Sequence, residues 1–117
     1  MQTFRDLIVW QKAIELASQT YALTSKFPAE EKYGLASQMQ RAAVSIPSNI
    51  AEGKLRGSPK EFSRFLRIAF GSGGELETQI EVAKRLPKTN GLDYRPVEAL
   101  LDEVMRMLNV MISKASA

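Results

Sequence analysis

The chain has 117 residues, 44% of them apolar, the size and composition of one folded domain covering residues 1–117. It holds no cysteine and no histidine, which excludes disulfides, thiolate metal sites and cysteine nucleophiles and removes the commonest general base and metal ligand. The net charge is +3, yet residues 54–70 set Lys54, Arg56, Lys60, Arg64 and Arg67 against Glu61 alone, so this segment carries +4 and the rest of the chain −1. Such a local patch suits an anionic partner better than an even spread would.

Apolar runs are short and broken by polar residues, and Met1-Gln-Thr-Phe-Arg-Asp has no charged stretch leading into an apolar signal core. The expectation is a cytoplasmic protein that does not touch a membrane.

Periodicity predicts four helices and no strand. The first runs from Leu7 to Ser25, with Leu7, Trp10, Ile14, Ala17 and Tyr21 as its core line, and Phe27-Pro28 ends it. A second line, Val9, Leu16 and Leu23, is left over and reads as surface buried between subunits.

The second helix is expected from Glu30 to Gly53, with Leu35, Met39, Ala42, Ile46 and Ile50 inward and Gln38, Arg41, Ser45, Asn49 and Glu52 on another stripe. Gly53 fits a C-cap and Gly57 a loop. Pro47 removes a backbone donor inside this helix and should bend it. Ser45, Asn49 and Glu52 are then expected to satisfy the groups the bend exposes, while small Ala42, Ala43 and Ala51 pack closely, against Gly71–Gly74.

The third helix has Ser58 as N-cap, Pro59 at N1 and Glu61 at N3 to complete a capping box. Phe62, Phe65, Leu66, Ala69, Leu76, Ile80 and Ala83 form its core face, and the helix crosses Gly71-Ser72-Gly73-Gly74. Each glycine costs about 1 kcal/mol against alanine in a helix interior, and Gly73, on the core line, implies close approach of a neighbour. Pro87 and Thr89-Asn90-Gly91 end the helix. The fourth, from Tyr94 to Lys114, carries Val97, Leu100, Leu101, Val104, Leu108 and Met111, widened by Met105, Met107 and Ile112. Four such helices with short connections make an all-α, antiparallel up-and-down bundle, and the wide fourth face joins the spare line of the first in predicting a homo-oligomer.

Candidate chemistry is sparse. Gly71–Gly74 lacks the Gly-Lys-Ser/Thr of a phosphate loop, and Leu76 breaks the dinucleotide pattern. Glu52, Glu75, Glu77 and Glu81 offer carboxylates; histidine-containing di-iron sites are out of reach, a carboxylate-only magnesium site stays open, and solvated faces are the simpler reading. No Gly-x-Ser-x-Gly or Ser-x-x-Lys occurs, so neither an enzyme nor a cofactor or metal is expected. Lys60, Arg64 and Arg67, at i, i+4 and i+7, share a face pointing away from Phe62, Phe65 and Ala69; Lys54 and Arg56 extend it and Lys84, Arg85 and Lys88 add charge further along. Successive phosphates of RNA or DNA fit such a row.

The chain resembles the four-helix-bundle proteins encoded in intervening sequences of 23S ribosomal RNA genes. The resemblance rests on Phe4-x-x-Leu7-x-Val9-Trp10-Gln11-Lys12-Ala13, Phe27-Pro28-x-Glu30-Glu31-x-Tyr33-Gly34-Leu35-x-x-Gln38 and the continuous run Arg41-Ala-Ala-Val-Ser45-Ile-Pro47-Ser-Asn49-Ile-Ala-Glu52-Gly53. Phe62-x-x-Phe65-Leu66-x-Ile68-Ala69 and Gly71-Ser72-x-x-Glu75-Leu76-Glu77-Thr78-Gln79 complete it. The sequence departs from the pattern at Gly73-Gly74, where bulkier residues would be expected. The resemblance implies a bundle assembled as a pentameric ring. It also implies likeness to the accessory protein of diversity-generating retroelements, a basic bundle that works with a reverse transcriptase. The leading expectation is a non-enzymatic RNA- or DNA-binding oligomer, and the alternative is a protein-interaction scaffold or accessory subunit.

Overall fold

The computed structural model describes residues 3–116, so Met1 and Gln2 of the amino-terminal reading lie outside it. Among the described residues the regular elements are all helical: α1 (Ile8–Thr24), α2 (Leu35–Leu55), α3 (Pro59–Arg85) and α4 (Arg95–Ser116), with short 3₁₀ turns at Phe4–Asp6 and Ala29–Glu31. Each helix packs on the next in sequence, and α4 closes on α1. At about 1.5 Å per residue, α3 accounts for most of the 45 Å long axis. Polar contacts join the neighbours: Gln40 Nε2 donates to Thr24 Oγ1 at 3.0 Å, Ser45 and Ser72 hydroxyls meet at 2.8 Å, and Lys12 pairs with Glu103 at 3.3 Å. Lys84 pairs with Glu98 between α3 and α4. No described helix is long and apolar enough to cross a membrane.

The structure reverses the two apolar lines of α1. Val9, Ala13, Leu16, Thr20 and Leu23 are buried, whereas Ile14 and Tyr21 remain 43% and 49% exposed and Leu7, Trp10 and Ala17 are half-buried. Ala13 and Thr20 explain the choice. Both are small, so they let α1 approach its neighbours, and the Thr20 hydroxyl is satisfied within the helix by donating to Leu16 O at 2.8 Å. Tyr21, bulky and polar-tipped, stays at the surface, while Trp10 packs edge-on against Phe4 at the rim of the core.

α2 begins later than its periodicity predicts. Ala29–Glu31 forms a separate turn, and Gly34, at φ −108° and ψ −112°, stands at the true start. It also ends later. Gly53 is buried inside the helix rather than capping it, and Arg56 is the C-cap. Met39, Ala42, Ile46 and Ile50 are buried as expected, joined by Ala36, Ala43 and Pro47. The helix runs unbroken across Pro47. Asn49 Nδ2 donates to Ser45 O and Ser45 Oγ at 2.8 and 2.9 Å, which braces this turn but does not reach the Ala43 carbonyl that Pro47 leaves without its helical donor. Glu52 has no share in it, being turned to Arg56 instead.

In α3 the N-cap is the half of a capping box in which Ser58 Oγ accepts from Glu61 N at 3.1 Å. The Glu61 carboxylate is drawn to Arg64 rather than back to the cap. Phe65, Leu66, Ala69, Gly73, Leu76, Ile80 and Ala83 are buried, and Phe62 is half-buried. A Cβ on Gly73 would overlap the Met105 thioether of α4, so the close approach is to α4 and not to α2. Ser72 is the residue of this run that meets α2. The α3–α4 connection is pinned by a relay missed in the sequence: buried Tyr94 donates to Thr89 O and buried Thr89 donates to Ala83 O, both at 2.7 Å.

Candidate nucleic-acid interface

The predicted basic residues gather where α2 turns into α3. Two glycines make that geometry. Gly57, at φ +83°, takes the left-handed conformation that lets the chain reverse within Arg56–Ser58. A Cβ on Gly53 would lie 2.7 Å from Phe65 Cβ and 3.2 Å from Phe62 Cδ1, so its absence lets the end of α2 lie directly on the start of α3.

The cations then settle on the two phenylalanines. Lys54 Nζ stands 5.6 Å from the Phe62 ring centre, and the Arg56 and Arg64 guanidinium carbons stand 5.0 and 4.8 Å from that of Phe65. Arg64 therefore does not point away from Phe65, as helix spacing implied; its long stem folds back along the apolar surface. Lys60 and Arg67 are exposed on the same helix.

Two carboxylates moderate the charge. Arg56 bonds Glu52 at 2.8 Å and lies 3.8 Å from Glu61, which also holds Arg64 at 3.0 Å. The bond to Glu52 raises the Arg56 pKa above its ordinary value. These side chains are half exposed, so the pairs orient the guanidinium groups more than they stabilise the fold. With Glu52 included, five cations face two carboxylates in residues 52–70.

Further along, the expected extra charge is neutralised. Lys84 pairs with Glu98 and Glu81, Arg85 with Glu81, and Lys88 with Glu30. Glu77, Glu81, Glu98 and Asp102 instead line a groove of about 280 Å³ over Ile80, Leu101 and Met105. Arg64 and Glu81 are seventeen residues apart on α3, about 25 Å, so this neutralised stretch is well separated from the basic turn. Among the described residues no cluster of His, Cys, Asp and Glu is placed to hold a metal.

The central motif divides between roles. Pro47 and Gly53 are packing residues, Ser45 and Asn49 form the polar link to α3, and Glu52 belongs to the basic site. Arg41 lies outside, in an open depression of about 450 Å³ lined by Tyr21, Ser37, Gln40, Val44, Ser45 and Ser48. Sequence reading missed Phe62 and Phe65 as platforms for the cations. Their helical phase marks them as core, and the contact exists because the turn returns Lys54 and Arg56 to them.

The family model described as 23S rRNA-intervening sequence protein matches residues 5–110. No curated protein matches the chain.

Proposed function

The chain belongs to the family of 23S rRNA-intervening sequence proteins, and from that premise we propose that it works as a non-catalytic, RNA-binding homo-oligomer of the cytoplasm. One observation carries the reading: Lys54, Arg56 and Arg64 are held over Phe62 and Phe65 beside exposed Lys60 and Arg67. Cations already ordered on rings lose little side-chain freedom when phosphates bind. Backbone contacts of this kind give affinity without sequence readout. A chain lacking histidine and cysteine has no ordinary base or thiolate, which supports a binding role.

The reversed α1 supports the assembly. Ile14 and Tyr21, together with 41% exposed Val44 beside Tyr21, form an apolar outer face that a second copy would cover. Such copies close into a ring, and the family resemblance points to five. Within each copy the helices alternate up and down. Support comes from contacts that run in opposite order on paired helices: Ser45 with Ser72 and Gly53 with Phe65, then Gly73 with Met105 and Lys84 with Glu98.

The test is fluorescence anisotropy with a structured RNA over a salt series. Four or five phosphate contacts give a log–log slope of about −3 to −4. The combined K60E, R64E and R67E variant should abolish binding with unchanged circular dichroism. Failure to bind structured RNA at low salt overturns the reading, and a co-purifying protein that resists nuclease would favour the scaffold alternative. Sedimentation as a monomer at micromolar concentration would refute the ring.

A further inference from the structure

One side chain at the basic turn gains nothing from phosphate. Leu55, the last residue of α2, is 73% exposed, the most of any large aliphatic residue described. It lies between Lys54 and Arg56, two residues past inward Gly53, and so on the outward line of α2. The tip is held firmly. Lys54 and Arg56 rest on Phe62 and Phe65, Gly57 reverses the chain, and Ser58 caps α3 with Pro59 behind it. The Tyr21–Val44 depression is eleven residues back along α2, about 16 Å, so Leu55 belongs with the cations and not with the apolar face of α1.

The largest apolar surface RNA offers an aliphatic side chain is the face of a base. In an uninterrupted A-form duplex those faces are stacked, the major groove is too deep and narrow to enter, and the minor groove presents hydroxyls. Faces open at bulges, loops and internal mismatches, where apolar side chains act as wedges between base steps.

We propose that Leu55 inserts against an unstacked base while Lys54, Arg56, Lys60 and Arg64 clamp the flanking phosphates, so that the ligand class is duplex RNA interrupted by a bulge or internal loop. This rests on the RNA-binding reading above. An anionic lipid surface would answer the same charges, but one leucine buries too little to anchor a protein.

The experiment uses the full chain and two labelled RNA hairpins that differ by a single unpaired adenosine, with 2-aminopurine beside the bulge in a second pair. The parent should bind the bulged hairpin roughly five- to tenfold more tightly, the lower end of what base stacking provides. Leu55→Ser should bring the two within about twofold without weakening the uninterrupted hairpin, Leu55→Met should keep the preference, and the 2-aminopurine signal should rise with the parent and Leu55→Met but not with Leu55→Ser. Tight binding to both hairpins with no preference, or a preference that survives in Leu55→Ser, overturns the wedge and leaves the RNA reading standing. Binding to neither at low salt removes both. A Leu55→Ser change that alters only sedimentation, or only binding to phosphatidylserine vesicles, overturns the wedge in favour of a subunit contact or a lipid surface.

Discussion

Replacing Gly53 by alanine is the sharpest test of how the basic turn is built. Propensity alone makes the change favourable by about 1 kcal/mol, since glycine in a helix interior is costly. Packing opposes it. The new Cβ would stand 2.7 Å from Phe65 Cβ, 3.2 Å from Phe62 Cδ1 and 3.4 Å from Phe62 O, where carbon atoms prefer about 3.5–4.0 Å. Phe65 Cβ is bonded directly to the backbone, so no rotamer change relieves the overlap and the two helices must separate by roughly 1 Å. Overpacking of that kind costs about 1–3 kcal/mol, which outweighs the propensity gain and leaves a net loss of about 1 kcal/mol and a Tm lower by roughly 5 °C. Gly71 and Gly74 are the controls. Nothing lies within 4 Å of a Cβ at either position, so alanine there should stabilise by about 0.5–1 kcal/mol. Gly73→Ala should fall between, because its neighbour is the flexible end of Met105. Urea unfolding followed by far-UV circular dichroism, at one protein concentration, ranks all four variants. A Gly53→Ala protein more stable than the parent would refute the argument. So would destabilisation by Gly71→Ala.

Leu16→Ala should cost about 2–5 kcal/mol, whereas Ile14→Ala should cost under about 1 kcal/mol and instead shift sedimentation toward smaller species; equal stability losses would contradict the reversed faces of α1. Tyr94→Phe removes the donor to Thr89 O and should cost about 1 kcal/mol by chemical denaturation. Burial pushes the Tyr94 phenol above its ordinary 10.0, so its contribution is complete below that pH and is lost as pH rises through the folded value. The parent should therefore lose stability more steeply in alkali than Tyr94→Phe, and superimposable profiles would rule this out. The Lys84 amine, raised by its bond to Glu98, adds a loss of the same sign in both proteins. Pro47→Ala should move the unfolding midpoint or the sedimentation coefficient while RNA affinity stays within about twofold of the parent; a selective loss of binding would make Pro47 part of the functional site.

The local part of this protein was written in its sequence. Ser58-Pro59-x-Glu61 marked the start of α3, and seven-residue spacings marked the core faces of α2, α3 and α4, because a side chain's helical phase depends on nothing beyond its own helix. The basic segment was equally legible as a count of charges. Tertiary structure decided everything that needed a second helix. Two apolar lines about 140° apart on α1 satisfy the same periodicity, and the small volumes of Ala13 and Thr20, set against α2 and α4, chose between them. Gly53 looked like a cap, and Gly73 implied a close neighbour without identifying it, until the facing atoms, Phe65 Cβ and the Met105 thioether, supplied the reason for each. The charges of Lys84 and Lys88 counted toward a basic chain until Glu98 and Glu30 met them. Periodicity gives the direction in which a side chain leaves its helix. What it meets there depends on the volumes and charges of the neighbouring helix, which sequence spacing does not encode.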